Sequence, residues 1–176
     1  TANTMGKTKD IADADTANTN FFKNAGYGGL KEVEFSNRIL QSTKDNQIKA
    51  FAAMLVKDHQ AVNAKLKILA KNKGFEVPSV LPANELKLFT DQLSALKQEG
   101  KDKFYIKLML TEHQKAIDIF SLASRTEDSQ ISNFAKVVLP SLRLHFIDKK
   151  DFTFNPSSEC KIVNAVRIIS IFHKNN

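Results

Sequence analysis

The chain has 176 residues, of which 26 are Lys or Arg and 19 are Asp or Glu, giving a formal net charge of +7, and 42% of its residues are hydrophobic. This length and composition suit one globular domain and exclude collagen-like and low-complexity proteins. The single cysteine, Cys160, excludes an intramolecular disulfide and any zinc site built from several cysteines.

The N-terminal segment, residues 1–14, is small, polar and acidic and shows no periodicity, so we expect a flexible polar leader. The first residue is Thr1, as in a mature chain from which a signal peptide has been removed, or in a trimmed chain. No uncharged apolar run approaches the roughly 18 residues that indicate a transmembrane helix. We therefore expect no membrane-spanning segment.

The first helix is predicted to begin at a cap formed by Asp15 or Thr16 and to end near Ser42 or Thr43. The residues that recur along its inner face are Phe21, Ala25, Gly28, Glu32, Phe35 and Ile39.

The second helix is predicted to begin after Asp45 and Asn46 and to end at Gly74. Its inner face carries Phe51, Leu55, His59, Val62, Leu66 and Leu69. An extended connection with two prolines follows, and then a short helix is expected from about Asn84 to Lys97, with Gly100 ending it.

The third long helix is predicted from about Lys101 to Arg125, with His113 on its inner face. The fourth begins near Asp128 and carries His145 on its inner face. Four long amphipathic helices without an alternating strand pattern predict an all-α, up-and-down four-helix bundle over residues 15–150. The short extra helix lies in the connection between helices 2 and 3.

The last segment, residues 151–176, is predicted to be a tail separate from the bundle. Pro156 interrupts the helical pattern, and the stretch after Cys160 is rich in β-branched residues, so both a helix and a strand are open. We favour a short helix packed on the bundle. His173 lies in this tail, and we expect it to be exposed.

Three histidines are the main candidates for chemistry, because His59, His113 and His145 fall on the inner faces of three different helices. A single inward histidine is most often a core residue bonded to a neighbouring carbonyl. Three of them would need three separate partners, whereas one metal ion satisfies several imidazoles at once. The pattern therefore favours a metal site.

The first helix supplies a fourth candidate ligand, Glu32, which lies among apolar residues of the inner face. A buried carboxylate is costly unless it is paired or binds an ion. As an alternative to metal binding, Glu32 forms an ion pair with a protonated core histidine. Asp58 and Glu112 directly precede His59 and His113 but point about 100° away around the helix. We therefore expect each of them either to lie on the surface or to form a hydrogen bond with a metal-binding histidine without binding the metal itself.

Three imidazoles and one carboxylate suit a transition metal, namely Zn, Fe, Mn or Cu. The set is too poor in carboxylates for the usual di-iron arrangement of helical bundles. Nucleic acid is not an expected partner, because the lysines are spread along helical faces and the chain has no Trp for base stacking.

Several motifs together resemble the bacterial domain-of-unknown-function family 4142, whose members carry the label "predicted outer membrane protein". They are Glu32 after a glycine-containing helix start, the pair Asp58 and His59, the run Tyr105, Met109 and His113, and the run from Leu139 and Pro140 to His145. The resemblance covers about residues 20–148. It implies a ferritin-like four-helix bundle, exported to the periplasm or tethered to the outer membrane, with no established activity.

Two hypotheses about function follow from these residues. The first is an exported bundle that binds a transition metal through Glu32, His59, His113 and His145, with a role in metal handling or envelope stress. The alternative is a non-catalytic structural or interaction bundle, whose metal-free His-Glu core pairs internally and which binds an envelope protein or an anionic envelope surface.

Overall fold

A computed structural model describes the backbone of residues 2–146, with side chains from residue 14 onward, and this part of the chain is entirely helical. Its five helices are α1 (Ala2–Ser42), α2 (Asn46–Lys73), α3 (Ala83–Ser94), α4 (Gln98–Ala123) and α5 (Ser129–His145). The predicted all-α bundle, with a short extra helix between its second and third long helices, is confirmed. The tail at residues 151–176, including Cys160 and His173, lies outside the described residues.

The ends of α2 and the start of α5 follow from local capping, as predicted. The carboxylate of Asp45 accepts hydrogen bonds from the first-turn amides of α2, and Asp128 does the same for α5. Gly74 ends α2 in the left-handed conformation, with φ of 77°, which glycine adopts without a steric penalty.

The predicted start of the first helix is wrong, because α1 begins at Ala2 and not at Asp15 or Thr16. Asp15 lies inside the helix, where its carbonyl accepts a hydrogen bond of 2.8 Å from the hydroxyl of Thr19. The preceding sequence contains no proline and several alanines, so no residue there terminates a helix. The division into a leader, a bundle domain and a tail stays a prediction.

The boundary between the short helix and the third long helix is also displaced from its predicted place. Gly100 lies in the first turn of α4 and does not end α3. Glycine keeps its backbone amide and costs a helix only about 0.5–1 kcal/mol relative to alanine, so a single glycine need not end one. Gly100 was therefore a weak stop signal.

The long helices form two antiparallel pairs, α1 with α2 and α4 with α5, and α1 packs also on α4. The connection that contains α3 returns along the bundle, since α2 and α4 both begin in one apolar cluster and end in the other. One long crossover of this kind is the topology of ferritin-like bundles.

Two apolar clusters fill the interior, one above the other. The first joins α1, α2, α4 and α5 through residues such as Phe22, Leu66 and Phe120. The second joins α1, α2 and α4 with Phe89 and Leu93 of α3, so α3 covers this half of the bundle. A layer of buried polar residues lies between the two clusters.

Close contacts hold the crossover connection against α1. A Cβ atom on Gly26 would lie 2.3 Å from Cγ1 of Val77, so only a glycine admits the connection at this point. The next residue of α1, Tyr27, donates a hydrogen bond to Glu85 at the start of α3, and Lys31, one turn further along, forms an ion pair of 3.1 Å with the same carboxylate. Among the described helices, none has a stretch apolar enough to span a bilayer.

Candidate metal centre

Each of the four long helices contributes one polar side chain to the interior between the two apolar clusters. Glu32 comes from α1, His59 from α2, His113 from α4 and His145 from the last residue of α5. Their exposed fractions are 1%, 3%, 1% and 3% respectively. The structure therefore buries all four residues that the sequence predicts.

The four side chains contact one another. Oε2 of Glu32 lies 2.8 Å from Nδ1 of His59, and Oε1 lies 3.1 Å from Nδ1 of His113. The ring centroids of the three histidines are 5.3, 5.4 and 5.6 Å apart. One nitrogen of each ring lies within 4.8 Å of the corresponding nitrogens of the other two, so the three histidines can hold a metal ion.

Hydrogen bonds orient the rings so that nitrogens remain available to a ligand. Nδ1 of His113 donates to the carbonyl of Met109 (2.9 Å), and Nδ1 of His59 donates to Glu32. The two Nε2 atoms then face each other at 3.4 Å. Two imidazoles on one tetrahedral ion, with bonds of about 2.0–2.1 Å, place their nitrogens roughly 3.3 Å apart. The spacing of this pair fits one metal ion.

The charges of the cluster are set by burial and by Glu32. Burial alone would raise the pKa of Glu32, but the neighbouring imidazoles, above all His113 and His59, outweigh it and lower the pKa to about 2. Burial would lower the pKa of His59, but the ion pair with Glu32 raises it. Burial is the main cause that lowers the pKa of His113 to about 4, and the charge of His59 adds to it, while Glu32 opposes the change. The cluster thus favours an ionised Glu32, a neutral His113 and retention of the proton on His59.

Two buried atoms of the cluster lack a hydrogen-bond partner, Oε1 of Glu32 and Nδ1 of His145. Oε1 is close to Nδ1 of His113, but the proton on that nitrogen is directed to the carbonyl of Met109. Buried polar atoms are nearly always paired, and unpaired ones mark strain or a ligand position. A carboxylate oxygen and an imidazole nitrogen are both lone-pair donors that bind transition metals.

Asp58 lies behind one of the histidines, which is one of the two positions expected for it, but that histidine belongs to another helix. Its Oδ2 accepts a hydrogen bond of 3.0 Å from Nε2 of His145, which fixes the tautomer with the lone pair on Nδ1. Glu112, the equivalent neighbour of His113, pairs instead with Lys115 at 2.7 Å. The Asp-His dipeptide alone carried no sign of this, because Asp58 reaches a histidine on another helix.

Tyr105 and Ser36 form a second polar contact on the side of the second apolar cluster. Their hydroxyl oxygens are 2.7 Å apart, and Tyr105 is fully buried. Burial and the nearby Glu32 raise the pKa of Tyr105, outweighing its bond to Ser36, so the phenol stays protonated. Met109, one turn of α4 after Tyr105, is buried in the same apolar cluster.

A cavity of about 420 Å³ leads to the cluster between α1, α2 and α4. Glu32 and His59 line it, together with Gly28, Gly29, Val62 and Phe120. The cluster is therefore buried from bulk water but adjoins a space that small molecules can occupy.

A family model described as a domain of unknown function (DUF4142) matches residues 3–150. Neither the curated proteins nor the solved structures contain a match to the chain.

Proposed function

Because this chain belongs to the DUF4142 family, a domain of unknown function, we propose its function from the site itself: it binds one transition-metal ion through Glu32, His59, His113 and His145. The observation that carries the proposal is the cluster of three buried histidine nitrogens within 4.8 Å of one another. Glu32 is not in that group, because its carboxylate faces the Nδ1 atoms of His59 and His113. As the fourth ligand it would turn its unpartnered Oε1 towards the ion.

Metal binding accounts for features that an apolar core does not need. The ion would accept lone pairs from Nε2 of His59 and His113 and from Nδ1 of His145, while Asp58 and the carbonyl of Met109 hold two of the rings in the required tautomer. The ion also replaces the proton of His59, so binding releases a proton. One carboxylate and three imidazoles supply ligands for a single ion.

Elemental analysis by inductively coupled plasma mass spectrometry tests this proposal. The protein is purified untagged, without chelator and without a nickel column, and Zn, Fe, Mn and Cu are quantified per chain. We expect close to one equivalent of metal in the wild type and less than a tenth of that in His59→Ala and His113→Ala.

The matched controls are Gln60→Ala and Gln114→Ala, which change the exposed neighbours of the two histidines on the same helices. Both should retain the wild-type metal content. Equal, negligible metal in all five proteins, also after incubation with each metal salt, would refute the proposal.

The second candidate is a structural or interaction bundle whose core pairs internally and which binds an envelope protein or anionic surface. The ion pair between Glu32 and His59 favours it, because that pair satisfies two of the four side chains without metal. It leaves Nδ1 of His145 unpaired in the interior, which is why we place metal binding first.

We propose further that the protein acts in the cell envelope, in metal handling or envelope stress. The support is the resemblance of the histidine motifs to the family that is labelled as outer-membrane protein. Fractionation of the native host tests this: recovery in the periplasmic or outer-membrane fraction is expected, and recovery only in the cytoplasm would refute it.

A further inference from the structure

The cavity between α1, α2 and α4 ends at Glu32 and His59, two residues of the proposed metal centre. We propose that it binds a small molecule with an apolar body and a single anionic oxygen, and that this oxygen becomes a ligand of the metal. The inference rests on the proposed metal site and names the class of molecule that reaches it.

The glycine at position 28 of α1 keeps the cavity open. A Cβ atom at Gly28 would meet no atom within 4 Å, so packing against another helix does not require a glycine here. Gly29 is different, because its Cβ would lie 2.0 Å from Oδ1 of Asn63. A glycine inside a helix costs about 0.5–1 kcal/mol relative to alanine. At Gly28 the structural gain is open volume in the cavity.

The walls of the cavity are largely apolar. The residues that provide this surface are Ala25, Val62, Ala116, Ile119, Phe120 and Leu142. Its volume of about 420 Å³ lies within the range of small-molecule sites, which are apolar with a few polar groups that fix orientation. The polar groups at the inner end are Glu32 and His59.

Charge at the inner end favours an anion. A divalent ion with one carboxylate and three neutral imidazoles retains one positive charge in the buried interior, and a buried net charge is costly. An anionic oxygen would neutralise it. The other charged residues of the lining provide no anion site, because Lys31 and Lys115 are paired with Glu85 and Glu112, and Asp118 is a carboxylate that accepts a hydrogen bond from Gln114. The metal is therefore the better anion site.

Co²⁺-loaded protein provides the test, since the visible absorption of Co²⁺ changes when a further ligand joins its coordination sphere. The probes are benzoate and acetate, which share the carboxylate and differ in the apolar body. We expect benzoate to change the Co²⁺ spectrum with a Kd at least tenfold lower than that of acetate. Equal affinity for the two, or no spectral change with either, would overturn the inference.

Variants of the cavity wall separate the apolar contribution from coordination. In Gly28→Leu the new side chain occupies the cavity, so benzoate should bind at least tenfold more weakly, acetate should lose less affinity because it has no ring to place in the cavity, and Co²⁺ uptake should stay as in the wild type. The benzoate affinity of Gly28→Ala should lie between those of the wild type and Gly28→Leu. If Gly28→Leu does not fold, Ala116→Leu narrows the same cavity from α4. Unchanged benzoate affinity in the filled variant would overturn the inference.

The same experiment distinguishes failure of the metal proposal from failure of this inference. A wild-type protein that takes up no Co²⁺ refutes the metal centre and the inference with it. A protein that binds Co²⁺ in one equivalent, without a spectral response to benzoate, refutes the inference and leaves the metal centre standing.

Discussion

Asp58 acts on the candidate metal centre through another residue. Its carboxylate holds Nε2 of His145 at 3.0 Å, and this hydrogen bond leaves Nδ1 as the donor atom. A carboxylate in this position also increases the basicity of the imidazole. The residue therefore positions a ligand without being one.

Replacing Asp58 by Asn should weaken metal affinity by about 10–100-fold, the usual effect of removing a hydrogen-bond partner of a ligating histidine. The measurement is competition for Zn²⁺ or Co²⁺ against a chromogenic chelator. Glu112→Gln is the matched control, because Glu112 also precedes a histidine of the cluster but pairs with Lys115. An equal loss in both variants would contradict the role of Asp58.

The metal-free protein should be most stable near pH 6.5. The pKa of His113 is lowered to about 4, so between pH 4 and 6.5 the unfolded chain binds the extra proton and stability falls as pH falls. The pKa of His59 is raised, so the stability that its proton confers is lost as pH rises through that raised value. The lowered pKa of Glu32, about 2, adds stability above pH 4 that disappears as pH falls towards 2.

Urea unfolding between pH 4.5 and 8.5 checks this profile after the metal is removed with chelator. The variant His113→Asn cannot take up the proton in the unfolded state, so its free energy of unfolding should depend less on pH between 4.5 and 6.5. If the free energy of unfolding changes equally with pH in the variant and the wild type, His113 does not cause the loss of stability below pH 6.5.

For individual residues, the sequence predicts which side chains point inward, because residue spacing alone fixes the face of the helix on which each one lies. Glu32, His59 and His113 are buried for this reason. Spacing does not predict the hydrogen bonds of each ring, because these depend on how neighbouring helices are placed. The bond between Asp58 and His145 joins α2 to α5 and could not be derived from either helix.

Among the helices, Asp128 has two tasks at the start of α5. Its Oδ1 caps the helix by accepting from the amides of Gln130 and Ile131 at 3.0 and 3.1 Å, and its Oδ2 binds Nζ of Lys73 at 2.5 Å. Burial would raise the pKa of Asp128, but Lys73 and the amides outweigh it and lower the pKa. One carboxylate thus caps α5 and joins it to the end of α2.

Asp45→Ala, which removes only a cap, should lower the free energy of unfolding by about 1 kcal/mol. Asp128→Ala should cost more, because the contact with Lys73 is lost as well. Asp128→Asn separates the two tasks, since asparagine still caps but carries no charge. Urea denaturation of the three variants measures the differences, and an Asp128→Ala variant no less stable than Asp45→Ala would contradict this assignment.

Helix ends show where local sequence suffices and where it does not. Asp45, Gly74 and Asp128 mark real ends, because a cap acts on the backbone of its own helix. Asp15 and Gly100 resemble caps or stops, yet both lie inside helices. At these two residues the helix continues, because a residue that can cap or end a helix does not by itself force the helix to end there.

For the whole molecule, a metal bound by Glu32, His59, His113 and His145 would join the four long helices at one point. Metal at about 1,000 times its Kd adds about 4 kcal/mol to the stability of the folded state, which raises Tm by roughly 10 °C for a domain of this size. Chelator should remove this gain. His59→Ala, measured in parallel, should show one Tm with and without metal.

An unchanged Tm of the wild type under both conditions would instead support the internally paired core. In that case the search for function should turn to protein partners and anionic surfaces. Differential scanning calorimetry at fixed pH distinguishes the two results, because each protein serves as its own reference.

The polar layer between the two apolar clusters has a consequence for folding specificity. Leu and Phe side chains tolerate a helix that slides along its axis, since one apolar neighbour replaces another. A shift of one turn in α2 would instead remove His59 from Glu32 and leave a buried carboxylate facing hydrocarbon. The four polar residues therefore fix the axial alignment of the helices, as a single buried polar residue fixes the register of a coiled coil.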